Sequence, residues 1–317
     1  MREPWFWRQD GLLPLALRPL ASLYAAIARR RAAAIPRQTL PVPLVCVGAA
    51  TVGGAGKTPV ARSIAAMLRD AGREPHCVLR GHGGRLAGPA RVDPTRHDAG
   101  DVGDEALLHA ANGPTWVARR RIEGCRAAVA AGARSIVLDD ALQHPGLAWS
   151  LALLVVDGSQ GLGNGRVVPA GPLREPWRQA LAKADAVVLI GDDDAGIAGM
   201  AAPKRLLRAK LRPVGDGLAG QRVLAFAGIG YPAKFRRSLE SIGADVVRFV
   251  TFADHHRYRE RELFRLHAIA SRERLAMVTT PKDVMRIPPV WHARLHVQDL
   301  AVNWEDEAEI RRLVAAS

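Results

Sequence analysis

Val45-Cys46-Val47-Gly48-Ala49-Ala50-Thr51-Val52-Gly53-Gly54-Ala55-Gly56-Lys57-Thr58-Pro59-Val60 decides the fold. An apolar run enters a glycine-rich turn ending in Gly-Lys-Thr, and an amphipathic helical pattern follows at once. Glycines let the backbone curl until successive N–H groups face phosphate oxygens, and the helix start adds partial positive charge. Thr51, Val52, Gly53, Gly54, Ala55, Gly56, Lys57 and Thr58 are therefore expected to hold a nucleoside triphosphate. Lys57 is expected on the β/γ-phosphates and the Thr58 hydroxyl on Mg²⁺. Thr51 stands where the general pattern has its first glycine. Such a loop needs a further metal-holding acid at the end of a neighbouring strand. Ser135-Ile136-Val137-Leu138-Asp139-Asp140 supplies it, an apolar run closed by two carboxylates.

Outward from this loop, apolar runs alternate with amphipathic stretches, the pattern of an α/β fold with a parallel sheet. Strands are expected at Leu44–Val47, His76–Leu79, Thr115–Ala118, Ser135–Asp139, Leu151–Val156 and Ala186–Ile190, and helices at Lys57–Ala71 and Arg120–Ala131. Residues 80–104, rich in Gly, Arg and Asp, read as a long functional loop. A second alternation follows the turn-like Arg212-Pro213-Val214-Gly215-Asp216-Gly217. It has strands at Val223–Ala227, Val246–Phe249 and Ala276–Thr279, with helices at Pro232–Ile242 and Arg259–Ser271. A strand at Leu295–Val297 and a helix at Glu305–Val314 close the chain. The expected organisation is an N-terminal helical segment (1–40), a P-loop core with helices flanking its sheet (41–212), a smaller α/β domain (216–301) and a C-terminal helix (302–317).

The chain has 317 residues and 48% apolar content, enough for a core and too much for intrinsic disorder. Three scattered cysteines, without a CxxC pair, exclude a disulfide scaffold. Lys+Arg number 45 against 31 Asp+Glu, a net +14, and only six of the cations are lysine. Arginine richness fits either genome composition or an anionic partner: nucleic acid, a phosphorylated ligand or a membrane surface. Residues 1–40 carry seven arginines against two acids beside Trp5, Phe6, Trp7 and Tyr24. Pro14 and Pro19 are expected to break the early part of this segment, and its longest uncharged run, Pro19–Ala28, spans only ~15 Å as a helix. No membrane span is expected. An amphipathic helix lying on a membrane and a helix packed on its own domain both fit.

Several classes of triphosphate chemistry fall away. Thr280-Pro281-Lys282-Asp283 lacks the spacing of a guanine-reading motif, because Lys and Asp are adjacent. No helix-turn-helix, zinc finger or aromatic RNA platform accompanies the positive charge. A kinase needs a carboxylate or histidine near the γ-phosphate to receive a proton from the acceptor hydroxyl. Asp101-Val102-Gly103-Asp104-Glu105 and Asp254-His255-His256 offer such groups, and solvated loop residues are the plainer reading of each.

With these motifs in order, the chain resembles the tetraacyldisaccharide 4′-kinases of Gram-negative bacteria. The resemblance rests on Thr51–Pro59 (TVGGAGKTP), Val102–Glu105 (VGDE), Val117–Arg121 and Asp139–His144 (DDALQH). It continues with Gly163-Asn164-Gly165-Arg166, Pro169–Pro176 (PAGPLREP), Phe226–Pro232 (FAGIGYP), Asp254-His255 and Thr279–Asp283 (TTPKD), spanning roughly 4–290. Thr51 is what this family usually has, whereas Ala50, Ala55, Ala106 and Ala141-Leu142 depart from its common pattern. The resemblance implies transfer of the ATP γ-phosphate, with Mg²⁺, to the 4′-hydroxyl of a tetraacylated glucosamine disaccharide 1-phosphate. It implies peripheral association with the cytoplasmic face of the inner membrane, and tips residues 1–40 toward an interfacial helix. Asp104 matches the catalytic base and His255 its partner; Asp139, Asp140 and Glu105 match acids around the metal. Arg119, Arg121, Asn164 and Arg174 match positions touching phosphate or sugar. Neither nucleic acid nor an obligate protein partner is expected. The competing reading is a P-loop ATPase acting at a membrane surface or on nucleic acid.

Overall fold

The computed structural model describes residues 4–215 and 217–317. Met1–Glu3 and Asp216, which open two of the expected segments, lie outside the described residues. The chain first forms α1 (Leu12–Ala33), β1 (Leu44–Ala49), α2 (Lys57–Asp70), β2 (Pro75–Leu79), β3 (Ala90–Arg91), α3 (Ala99–Val102) and α4 (Asp104–Ala110). There follow β4 (Thr115–Val117), α5 (Arg121–Ala130), β5 (Ser135–Asp139), β6 (Leu151–Asp157), α6 (Trp177–Lys183), β7 (Ala186–Ile190), α7 (Ile197–Ala201) and β8 (Arg205–Pro213). The second alternation runs β9 (Arg222–Ala227), α8 (Pro232–Ser241), β10 (Asp245–Thr251), α9 (Glu260–Glu273), β11 (Ala276–Thr279), α10 (Pro281–Val284) and β12 (His296–Val297). The chain closes with β13 (Leu300–Trp304) and α11 (Glu307–Ala315).

Nine strands form the larger sheet in the order β13-β8-β7-β6-β1-β5-β2-β4-β3. The strands from β8 to β4 are parallel, and β13 and β3 close the edges antiparallel. Alternate residues of β1 face opposite sides. Leu44 and Cys46 join a core with Leu138, Leu154, Cys125 of α5 and Ile197 of α7, while Val45 and Val47 pack with Val60, Ile64 and Leu68 of α2. Burial on both faces explains why these strands read as unbroken apolar runs. The smaller sheet, β10-β9-β11-β12, is parallel and likewise covered on two sides. Phe226 packs with Leu263 and Leu266 of α9, whereas Val223 and Ala225 meet Phe235 and Leu239 of α8.

Three elements differ from expectation. First, β8 and β13 pair antiparallel, Leu300 opposite Pro213 and Trp304 opposite Ala209, so residues 302–304 are strand rather than helix. The chain thus returns to the larger sheet, where α11 sets Ile310 and Val314 against the α2 core. Second, residues 80–104 contain β3, α3 and the first residue of α4. Third, α1 runs unbroken through Pro14 and Pro19. Pro14 lies in the first turn, where no backbone N–H is needed, and Pro19 is accommodated inside the helix. At 22 residues and ~33 Å, α1 is long and apolar enough to cross a bilayer by length and composition.

Candidate active site

The P-loop leaves the carboxyl end of β1 and is held along residues 50–52 by the segment 172–174. Thr51 bridges Leu173, the Val52 N–H donates to the Pro172 carbonyl (2.8 Å), and the Arg174 N–H donates to Ala50 (2.7 Å). Gly53 (φ +111°) and Gly56 (φ +90°) adopt left-handed backbone, which a side chain would resist. Lys57 opens α2, with Nζ 3.4 Å from the Gly53 carbonyl and 3.7 Å from Asp140 Oδ1. Val52 to Thr58 line a cleft of about 1360 Å³ between the ends of the larger sheet and the smaller unit.

Asp139 and Asp140 end β5 beside this loop and have different partners. Asp140 Oδ1 meets Arg174 at 2.8 Å, and its carbonyl accepts from Arg121 Nη2 at 2.7 Å. Burial opposes ionisation of Asp140, yet Lys57 and Arg174 outweigh it and hold the carboxyl below its ordinary range. Asp139 Oδ2 contacts His109 Nε2 at 3.0 Å, both side chains 1% exposed. Its Oδ1 is buried without a protein partner. Asp139 and Thr58 line the same cleft, and this orphan carboxylate oxygen and the Thr58 hydroxyl are hard donors of the kind Mg²⁺ takes. Burial works against charging His109, and Cys77 and Asp139 overcome it, pushing the imidazole up to about 10.

The opposite wall comes from two units. Gly103 (φ +86°) permits α4 to start at Asp104, and a Cβ there would collide with the His82 carbonyl. Asp104 Oδ1 accepts from the Glu105 N–H (2.9 Å), and Oδ2 contacts His255 Nδ1 at 2.9 Å. His255 Nε2 lies 3.4 Å from Lys282 Nζ. An ammonium only donates, so Nε2 accepts and Nδ1 carries the proton toward Asp104. Burial raises the Asp104 pKa, and the His255 hydrogen bond and the Lys282 charge more than reverse it, so the group sits below its ordinary value. His255 lines the cleft, while Asp104, 3% exposed, lies behind it. Lys282 also pairs with Glu105 (3.1 Å), and Lys234 of α8 pairs with Asp157 at the end of β6. Tyr231 stands over the loop, its Cβ 4.0 Å from where a Gly54 Cβ would sit.

A lysine-bearing P-loop and an Asp–His pair thus face one cleft, and the sequence as a whole says which proteins share this arrangement. The family described as tetraacyldisaccharide-1-P 4′-kinase matches residues 13–317. The chain belongs to this family. A tetraacyldisaccharide 4′-kinase of Rhodospirillum centenum is 47% identical over 99% of this chain and 96% of its own length. One from Methylorubrum populi is 45% identical, covering 100% and 99%. The crystal structure of LpxK from Aquifex aeolicus in complex with ATP superposes with a TM-score of 0.79 at 25% identity, covering 96% of this chain and 99% of that one.

Within this tetraacyldisaccharide 4′-kinase framework the remaining expected residues separate. Arg121, Arg174 and Glu105 line the cleft. Arg119 is exposed outside the cleft lining, and its backbone N–H donates to Ala87. The Asn164 amide donates to the carbonyls of Phe6 (3.1 Å) and Ala170 (2.9 Å), pinning the N-terminal segment to the 163–173 loop. Thr51 is engaged with Leu173 beside the cleft rather than lining it. Sequence reasoning missed His109 and Arg286. Each reaches the acid that it supports in the site, Asp139 or Asp104, across 30 or more positions of chain.

Proposed function

We propose that the chain transfers the γ-phosphate of ATP to the 4′-hydroxyl of a tetraacylated glucosamine disaccharide 1-phosphate. What carries this reading is the cleft with the P-loop lysine on one wall and the Asp104–His255 pair on the other, in a chain that matches the kinase family almost end to end. Val52–Thr58 amides and Lys57 hold the triphosphate, and Arg121 and Arg174 add positive charge around it. Thr58 and Asp139 would hold Mg²⁺, with Asp140 and Glu105 lining the same cleft, and the ion would supply positive charge toward the phosphates. The acceptor hydroxyl gives its proton to the Asp104–His255 pair. His255 is the member of the pair that lines the cleft, and Asp104, bonded to its Nδ1, fixes its tautomer and orientation. Because His255 and Lys282 come from the smaller unit, docking of that unit assembles the base and excludes water.

Helix α1 suits a membrane that presents the acyl chains. Leu13, Leu17, Leu20, Tyr24 and Ile27 fall on one face by helical spacing, with Arg31 among them, while the exposed Leu12, Leu15 and Leu23 turn to other sides. Arg18 inside the helix and the Arg29–Arg31 run leave Pro19–Ala28 as the longest uncharged run, which favours lying in the interface over crossing it, on an anionic leaflet facing the ATP-containing cytoplasm. The test mixes protein, γ-labelled ATP, Mg²⁺ and detergent-dispersed acylated disaccharide 1-phosphate. Label is expected in lipid with wild type and reduced by orders of magnitude with a folded Lys57→Ala protein. ATP turnover stimulated by vesicles or nucleic acid, without labelled lipid, would establish the ATPase reading instead.

A further inference from the structure

The Thr279–Asp283 motif and the residues just after it form a buried platform that the reaction scheme above leaves unused. Asp283 is 0% exposed, and its carboxylate takes the Gly228 N–H (2.9 Å), the Tyr258 hydroxyl (2.8 Å) and the Thr280 hydroxyl (2.6 Å). Its Oδ1 also meets Arg286 Nη2 at 2.8 Å. The guanidinium is held from further sides, Nη2 donating to the Gly228 carbonyl (3.0 Å) and Nη1 to that of His256 (3.1 Å). These partners all belong to the smaller unit. The Nε edge alone crosses to the larger one, 3.2 Å from Asp104 Oδ2, the two side chains 3% and 2% exposed.

We propose that Arg286 is a positioning residue: carried on the Asp283 platform, it locks the Asp104 carboxylate so that His255 stays aimed at the acceptor hydroxyl. The inference rests on the kinase reading above. Asp104 Oδ1 is already fixed by its neighbour's N–H, and Oδ2 takes the His255 Nδ1 hydrogen bond and pairs with the Arg286 guanidinium, whose Nε–H donates to the Lys282 carbonyl (3.3 Å). Two hydrogen bonds and a buried ion pair together hold the carboxylate against rotation. Without the Arg286 charge, Oδ2 would keep only the His255 contact, and the carboxylate could turn about its Oδ1 anchor and take His255 out of line. Asp283 already neutralises Arg286 within its own unit, so the contact to Asp104 is not needed to satisfy the buried cation. Its effect falls on the acid. A rigid planar fork performs this task better than an ammonium, which reaches one carboxylate at a time.

The experiment measures turnover and KM for ATP in the labelled-lipid assay, with melting curves, for Arg286→Met, Arg286→Lys and Asp104→Asn, alone and combined. Arg286→Met is expected to lower kcat on the order of tenfold to a hundredfold, as small misplacements of reacting groups do, without moving KM for ATP. Arg286→Lys is expected to recover part of that loss. In the Asp104→Asn background neither substitution should slow the enzyme further, because Arg286 acts through Asp104. Should Arg286→Met fail to fold, Arg286→Lys carries the comparison: slowing confined to the Asp104 background supports the proposal, and equal slowing in both backgrounds overturns it. Asp104→Asn at wild-type turnover overturns the underlying reading. Slow Asp104→Asn with multiplying Arg286 effects overturns only the positioning role.

Discussion

Asp139 gives one oxygen to His109 and keeps the other in the cleft wall, so an imidazole from α4 sets the orientation of an acid at the end of β5. The pair is fully enclosed, which makes its charge state a stability matter as well as a catalytic one. His109 in the folded protein holds its proton up to about 10, against 6.5 ordinarily. Its contribution is therefore complete below about pH 6.5 and lost as pH rises through about 10. Thermal melts of wild type and His109→Gln between pH 6 and 10.5 are expected to differ most at the acid end. There the gap should reach on the order of 3 kcal/mol, the cost of breaking a buried pair. It should narrow steadily toward pH 10. A gap of constant width would show that the imidazole is not charged in the folded state.

Helix α1 contributes almost nothing to the core, with only Pro14 and Ala21 buried, and shows the solvent Leu20, Leu23 and Ile27. Replacing these three by Asn is expected to weaken binding to phosphatidylethanolamine–phosphatidylglycerol vesicles by on the order of tenfold or more per residue. Changing Arg29, Arg30 and Arg31 to Gln should instead erase the preference for anionic over neutral vesicles, at about 1 kcal/mol per charge. Cosedimentation reads both, and unchanged binding in the Asn variant would remove α1 from the membrane contact. The same helix marks where sequence reading stops. Its prolines read as breaks, yet each found a position that tolerates it. Central strands such as β1 and β5 were legible because burial on both faces makes them continuously apolar. β8 was not, since Arg208, Lys210 and Arg212 alternate with Leu207, Ala209 and Leu211 and mask its buried face. The P-loop and the Asp139-Asp140 pair were legible because their chemistry is contiguous in the chain. His109 meets Asp139 and Arg286 meets Asp104 through tertiary contacts, which no local pattern encodes.

At the scale of the molecule, the smaller unit is an insertion between two neighbouring strands of the larger sheet. The two crossings hold each other: the Val214 N–H donates to the Asp299 carbonyl (3.0 Å), Gln298 Nε2 donates to Val214 (2.8 Å), and Arg62 grips the Asp299 carboxylate with two bonds (3.0 and 2.9 Å). A chain cut after Asp299 loses β13 and α11, and with them the packing of Trp304, Ile310 and Val314 on α2. Three such side chains contribute roughly 1.5–3 kcal/mol each, a large part of a typical domain's stability. The truncated protein is expected to melt far below the full chain and to be cut rapidly by protease within residues 44–213. Melting within a few degrees of the full chain would show that the P-loop unit does not depend on its return strand. The interleaving also separates the order in which parts are synthesised from the order in which they are finished. The P-loop leaves the ribosome before the smaller unit does, but the face of α2 behind it is closed only after Ala315 has emerged. The four-stranded sheet has all its strands by Val297, so a nascent chain completes the inserted half first and the nucleotide wall last.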